Sequence, residues 1–417
     1  MPIRCGGGII GGMKIQPRLQ FILLTACLDS FGLGFIIPNL PDVIRRFETD
    51  ADKINIYYGL FIASYAFFQF FASPLLGALS DKFGRRPVLL VSVAFAAVDY
   101  LFMAYAPNLA LLFIGRAISG MTGASIAVAN SYISDISAPE ERADYFGKLG
   151  ASWGLGFIIA PAVGGVLGGH FGHTAPFLAA AGFSVLNFLF GFFILPESLP
   201  PEKRRAIDIS DFHPLKSMRK SFRLAPLLIT VYALYFIAGQ VYPSIWTLFT
   251  QYKFGWSSVQ VGISLALFGV LMIAMQGFMT GRITAKLGER GSVIFGLAIA
   301  TMGFGLFSIA GQAWMMYAIS AFNTLSFITG SALQAIISKE APTEEQGELQ
   351  GGLASVGALT EVVGPIFYTS LFSLFTGASA PFVFVGVPFF VAGLICAGGL
   401  ALMLLCRRHA EPAAQTS

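Results

Sequence analysis

The sequence predicts an all-α membrane protein, with twelve transmembrane helices in two six-helix bundles. Three observations predict it. Of 417 residues, 55% are hydrophobic and only 12% charged, about half the charged share of a soluble domain. Apolar runs near 20 residues recur along the whole chain, long enough to cross roughly 30 Å of hydrocarbon. The chain also repeats itself at a displacement of 204 positions. Gly77, Lys82, Gly84 and Arg86 recur as Gly281, Lys286, Gly288 and Arg290; Pro161 recurs as Pro365, and Glu140 and Glu141 as Glu344 and Glu345.

In chain order, residues 1–18 read as an N-terminal tail. Its Gly6-Gly7-Gly8 and Gly11-Gly12 lack the Lys-Ser/Thr ending of a phosphate loop, and Met13 is an alternative start. Six spans follow, at about 19–40, 56–79, 87–106, 109–134, 145–168 and 174–196, forming an N-terminal bundle over 19–196. Residues 197–222, polar and basic, read as a linker. Six more spans, at about 223–250, 257–280, 291–310, 313–338, 348–375 and 381–406, form the second bundle over 223–406, and 407–417 is a tail. Every span is expected to be helical, because lipid offers backbone groups no outside partner. Parallel duplication of a six-span unit is the architecture of transporters that rock two halves around a central site.

Basic residues orient the chain. With both termini cytoplasmic, 21 of the 26 Lys and Arg residues lie inside; Arg45, Arg46, Lys53 and Lys253 lie outside, and Arg116 falls within a span. The net charge of +4 is therefore a topological signal and does not argue for nucleic acid. The four cysteines, Cys5, Cys27, Cys396 and Cys406, show no metal or redox spacing. No disulfide framework is expected. His170 and His173 supply only two ligands in an outside loop, so no metal is expected there. No HExxH, Walker loop or Ser-His-Asp order supports an enzyme.

A charge inside a span costs several kcal/mol, and four residues incur that cost: Asp29, Asp99, Arg116 and Glu361. Asp29 lies mid-span. Desolvation favours its neutral form, so it either exchanges a proton or bonds to backbone and Ser hydroxyls for packing. Asp99 precedes the turn at Pro107-Asn108 by eight residues and Arg116 follows it by eight. Both therefore sit about 12 Å below the outer surface, where they can form a buried ion pair, static or switchable. Glu361 stands where the first half has Phe157, so the repeat does not demand it. It either binds a cationic group or a proton, or hydrogen-bonds to a neighbouring helix. Gln69, Asn130, Gln240, Gln276, Asn323 and Gln334 are polar residues in spans, lining a cavity or joining helices. Trp153, Tyr242 and Trp246 are candidates for a stacking surface.

GALSDKFGRR at 77–86 resembles the signature loop between spans two and three of the major facilitator superfamily. FIGRAISG at 113–120 is similar to its span-four motif associated with proton coupling, and GFIIAPAVGG at 156–165 to its span-five antiporter motif, with Ala160 where Gly is usual. LDSFGLGFIIPNLP, SDKFGRRPVLL, Val98-Asp99-Tyr100, FGKLGASWGLG and FGWSSVQVGISL resemble bacterial tetracycline/proton antiporters, over about residues 20 to 400.

The resemblance implies efflux of a drug-like small molecule from the cytoplasm in exchange for protons, across the bacterial inner membrane. The protein would need no cofactor and would act as a monomer, its substrate travelling free or as a divalent-metal chelate. It casts Asp29 and Asp99 as essential acids, Arg116 as their buried partner, and Gln69 and Gln276 as cavity residues; Asn130, Gln240, Trp246 and Gln334 complete the expected substrate site. A conformational latch is expected from Gly77, Asp81, Gly84, Arg85, Arg86, Asp135 and Arg142, and the antiporter motif from Gly156, Pro161, Gly164 and Gly165. Ala300 replaces the usual span-nine acid, Met272 replaces a span-eight His, and Glu361 is additional. The competing expectations are a proton-coupled metabolite transporter and a non-transporting membrane sensor or scaffold.

Overall fold

The computed structural model describes residues 17–137, 142–204, 222–223, 225–340, 346–377 and 380–405. The described elements are all helical, and twelve spans emerge. We label them α1 (Leu19–Arg45), α2 (Ala51–Phe83), α3 (Arg85–Ala104), α4 (Leu109–Ile136), α5 (Arg142–Phe171) and α6 (Ala175–Ile194) in the first half. The second half holds α7 (Pro226–Phe254), α8 (258–287), α9 (289–309), α10 (313–339), α11 (Gln346–Thr376) and α12 (Val387–Leu405). A continuous apolar helical stretch, Ser258–Ile309, contains both α8 and α9, divided at Gly288 by a φ of +69°. Its repeat mate Gly84 divides α2 from α3 with a φ of +102°. Only glycine enters this region without strain, so the duplicated glycine is the duplicated reversal.

Sequence fixes the ends locally. Asp50 caps α2 by accepting from the backbone N–H groups of Asp52 and Lys53. Asn108 caps α4 through Leu111, and Ser257 with Gln260 forms a capping box ahead of α8. Several helices outrun their apolar cores: α2 covers 51–83 where hydropathy alone marks 56–79. The extra turns are polar ends that leave the hydrocarbon but keep their helical bonds. The basic linker, 197–222, is described at 197–204, which includes a short 3-10 turn, Pro201–Lys203, and at Phe222. The turns carrying Glu140, Glu141, Glu344 and Glu345 lie outside the described residues, as do Cys5 and Cys406.

Two pairs of helices make most of the contact between the halves: α5 against α8, and α2 against α11. The buried apolar clusters show how. One cluster takes residues from both halves, among them Ile36, Tyr58 and Phe61 with Trp246, Phe249 and Tyr368. It lies toward the ends of the helices at 45–51, 105–108, 171–174 and 254–257, here called the far face. Toward the opposite linker face the core is split. Leu19, Phe21, Leu89 and Tyr132 form a cluster of the first half alone, and Ile229, Leu297, Leu333 and Leu349 one of the second. Large apolar side chains such as Phe193, Val98 and Ile309 remain exposed on the outside, where a bilayer would cover them.

Glycines on the joining helices trace the same split. A Cβ on Gly59 would stand 2.0 Å from Thr369 Oγ1, and one on Gly165 2.4 Å from the Ser258 carbonyl oxygen. Both contacts cross between halves near the far face. Gly77, Gly154, Gly281 and Gly357, nearer the linker face on the same four helices, would meet nothing within 4 Å. The halves touch at one end and part toward the other.

Candidate functional site

The second half holds, among α7, α8 and α10, a cavity of about 490 Å³, within the range of small-molecule sites. Tyr235, Phe236, Gln240, Gln276, Phe327 and Gln334 line it, with Thr280 and Ser331. Three irregularities aim these groups inward. The α7 helix breaks at Gln240, between the segments Pro226–Gly239 and Val241–Phe254. Gly364 of α11 leaves room for Gln240, because a Cβ there would stand 2.4 Å from the Gln240 Cβ. A π-turn, Met275–Met279, carries Gln276 in α8; such turns often sit at functional sites. A 3-10 turn, Thr324–Phe327, interrupts α10 ahead of Gln334. Gln334 donates to Gln350 Oε1 at 2.8 Å.

Three expected cavity residues, Gln240, Gln276 and Gln334, thus come together. The other three are placed elsewhere. Gln69 donates to the Gly123 carbonyl at 3.2 Å, tying α2 to α4. Asn130 is exposed on α4. Trp246 is buried and donates its indole N–H to Ser264 at 2.9 Å. Tyr242 is packed against Trp246 and Phe268 and accepts from the Asn323 amide. Trp153 stacks on Phe157 with ring centroids 5.2 Å apart. The aromatic lining comes instead from Tyr235, Phe236 and Phe327, which sequence reading missed. Their signal was proximity to Gln240 and Gln334 along the chain.

In the first half a second, small cavity of about 20 Å³ is lined by Asp29, Tyr65, Tyr100, Ser92, Ser119 and Ser125, among others, and Asp99 touches it through Ser119. Asp29 accepts from Ser125 Oγ at 3.1 Å. Asp99 is buried, accepts from Ser119, and leaves Oδ1 without a hydrogen bond. Equal depth of Asp99 and Arg116 holds: a Cβ on Gly115 would stand 3.1 Å from Asp99 Oδ1. The expected ion pair, however, is not made. Arg116 turns toward α2, where its Nε donates to the Phe61 carbonyl at 3.3 Å and its guanidinium lies over two rings. A carbonyl and two π-faces satisfy the cation, and a serine satisfies one carboxylate oxygen, so the two groups do not need each other in this conformation. Glu361 is exposed and within electrostatic reach of Tyr65 in the first half and Tyr232 in the second. Ala300 is buried among apolar neighbours and Met272 is half-buried.

At the linker face Asp81, Arg85 and Asp135, expected as part of a latch, meet. Arg85 bonds Asp81 at 2.6 Å, Asp135 at 3.1 Å and the Ser80 hydroxyl at 2.6 Å. Arg86 donates to the Phe192 carbonyl of α6 at 2.7 Å, and its repeat mate Arg290 does the same to Met403 of α12 at 2.6 Å. The Arg142 side chain lies outside the described residues. Glu197, which sequence reading left in the linker, completes the cluster. Its Oε1 accepts from the backbone N–H groups of Arg85, Ser198 and Leu199, and its Oε2 from that of Arg86. A carboxylate thus caps the N-terminus of α3. A Cβ on Gly84 would stand 2.3 Å from Glu197 Oε2, a second reason for glycine there. The repeat preserves one bridge with its signs exchanged: Arg85–Asp135 is matched, 204 positions on, by Glu289–Lys339 at 2.7 Å.

The antiporter-motif residues form a seam. Gly156 and Gly164 admit α1: a Cβ would stand 2.0 Å from Ser30 Oγ at the first and 2.4 Å from the Phe35 Cα at the second. Gly165 and the Pro161 carbonyl face Ser258 and Gly262 of α8. One face of α5 therefore packs within its half and another across to the partner half.

The model of the Major Facilitator Superfamily matches residues 22–365 and 228–417. The tetracycline resistance protein of class C from Escherichia coli is 40% identical over 363 residues, 87% of this chain and 91% of that protein. The class G protein from Vibrio anguillarum is 40% identical over 358 residues, 85% and 90% of the two. Among solved structures, a bacterial homolog of the human lysosomal transporter Spinster superposes with a TM-score of 0.75 at 18% identity, covering 93% of this chain and 95% of that one. The nucleoside transporter NupG gives 0.75 at 14% identity, covering 94% and 98%. With its duplicated reversals, paired bundles and family-wide match, the chain belongs to the Major Facilitator Superfamily.

Proposed function

We propose that this protein exports tetracycline-type or other amphipathic drug-like compounds from the cytoplasm in exchange for protons. The observation that carries the reading is a cavity of amides and aromatics in the second half, with membrane-buried carboxylates in the first, in a chain 40% identical to tetracycline resistance proteins. The distribution of basic residues supports a cytoplasmic linker face, and hence an inward-open state here. Substrate enters from that face and meets Tyr235, Phe236 and Phe327 with its planar surface, and the Gln240, Gln276 and Gln334 amides with its polar edge. Asp29 and Asp99 carry the exchanged protons, since a neutral acid crosses the closed state at lower cost than a carboxylate.

Reconstitution into proteoliposomes with an imposed pH gradient tests this. Tetracycline is supplied free and as its divalent-metal chelate, alongside cationic dyes. Antiport predicts substrate-driven proton movement opposite to the substrate. Movement in the same direction would make the protein a symporter, and absence of flux for every compound would overturn the assignment.

A further inference from the structure

We propose that Tyr65, together with Phe61, is a positioning residue for proton coupling: their rings park Arg116 off Asp99 in this conformation. The guanidinium carbon of Arg116 lies 4.4 Å from the Tyr65 ring centroid and 4.8 Å from that of Phe61. The two rings are one helical turn apart on α2, so they form one continuous face. Arg116 is buried and takes part in none of the ion pairs among the described residues.

The α4 sequence is shaped around this cage. A Cβ on Gly123 would stand 2.1 Å from the Tyr65 hydroxyl oxygen, and one on Gly120 2.5 Å from the Tyr65 carbonyl oxygen. Both glycines are helical, so their use is the space they leave. The third, Gly115, leaves space chiefly for Met103, whose Cγ would stand 2.4 Å from a Cβ there, and beyond it for Asp99 Oδ1 at 3.1 Å. Arg116 therefore stands between an aromatic seat on α2 and an unbonded carboxylate oxygen on α3, with Asp99 Oδ1 free to take a proton.

The chemical consequence follows from charge. A guanidinium seated on Asp99 would hold that carboxylate ionised and compete with the proton. Seated on π-faces it keeps its charge without that competition. Tyr65 also lines the Asp29 cavity and lies within electrostatic reach of Glu361. The titratable and charged groups facing Asp99 are Arg116 from α4 and Tyr100 from its own helix; Tyr65 and Tyr58 from α2 face Arg116, and Asp29 from α1 faces Tyr100. The neighbouring α6 carries none.

This inference rests on the proton-antiport reading, and its test separates the two. Full-length Tyr65→Phe and Tyr65→Leu are compared with the parent in proteoliposomes, using tetracycline as probe and flux as a function of pH. In parallel, the infrared band of the protonated Asp99 carboxyl, assigned by its loss in Asp99→Asn, is followed through a pH titration without transport. Phe keeps the ring and should match the parent in both. Leu removes the seat, so Arg116 settles on Asp99. Its infrared titration and pH profile should then move toward acid by about one unit, a tenfold fall in proton affinity. If Tyr65→Leu is poorly folded, Phe61→Leu puts the same question through the other ring. An unchanged Asp99 titration in the folded Leu variant, or a Phe variant that behaves like Leu, overturns the cage. A shifted Asp99 titration in a protein that moves no protons with any compound would sustain the cage and sink the antiport reading.

Discussion

Asp29 is the residue on which the coupling reading depends most directly. It sits in a small polar cavity with one serine partner, which is enough to orient a carboxyl group and too little to neutralise a charge in the hydrocarbon. Asp29→Asn should abolish proton-coupled flux while the protein still folds and binds tetracycline. Normal pH-driven efflux in a well-expressed Asn variant would remove Asp29 from the mechanism. Glu361 permits a sharper test, because the main cavity offers amides and hydroxyls but no charge of its own. If Glu361 supplies the counter-charge for a cationic substrate, Glu361→Gln should lower cation transport and spare neutral substrates, since Gln keeps only a dipole. Equal transport of both classes would show that Glu361 acts as a neutral hydrogen-bonding group. At this scale the sequence was legible in part. The intramembrane charges announced themselves by cost, and their depth followed from counting residues along a helix. The choice Arg116 makes between Asp99 and two rings did not, because rotamers are decided by neighbours on another helix.

At the scale of elements, the turn between α2 and α3, expected to act as a latch, is held by one buried guanidinium and one capping carboxylate. Glu197 gathers four backbone N–H groups, two of them at the start of α3. Charge-assisted bonds of this kind contribute about 1.5–3 kcal/mol each when well aligned, less where water competes. Glu197→Ala should therefore lower the thermal midpoint measurably and slow turnover, leaving substrate affinity in detergent near that of the parent. Lost binding with unchanged turnover per bound substrate would contradict a hinge role. The Glu289–Lys339 bridge holds the equivalent place in the second half, but the second half has Ala285 in place of Asp81. Its lysine is 69% exposed, so the bridge itself contributes little. The spans, the reversals at Gly84 and Gly288 and the latch loop were all readable from period, hydropathy and repeat. The break at Gln240, the π-turn at Gln276 and the cap from Glu197 were not. Each depends on contacts with distant segments that leave no local signature in the sequence.

The whole molecule is closed at the far face, and polar hooks between halves accompany the apolar seam there. Asp42 accepts from Ser258 Oγ at 2.9 Å, at the start of α8, and Asp52 accepts from Ser373 Oγ at 2.8 Å, at the end of α11. A Cβ on Gly377 would stand 2.3 Å from Asp52 Oδ1, so α11 ends in a residue that admits the carboxylate. Tyr58 donates to the Pro243 carbonyl and Arg45 to Gln251, both at 3.3 Å. In the alternating cycle these bonds must break before the far face opens. Each hook stabilises the present state relative to the opposite one, where its partners separate. Removing two partly exposed carboxylate hooks should cost this state about 1–3 kcal/mol, enough to shift the balance roughly tenfold toward linker-face closure. The Asp42→Ala, Asp52→Ala double variant carries that test. Probes at Lys82 on α2 and Gly351 on α11 report the linker-face gap by pulsed electron resonance. The double variant should populate a shorter distance than the parent in the absence of substrate, and tetracycline loading from the linker face should slow. An unchanged distance distribution in a folded double variant would show that the apolar seam closes the far face without the hooks.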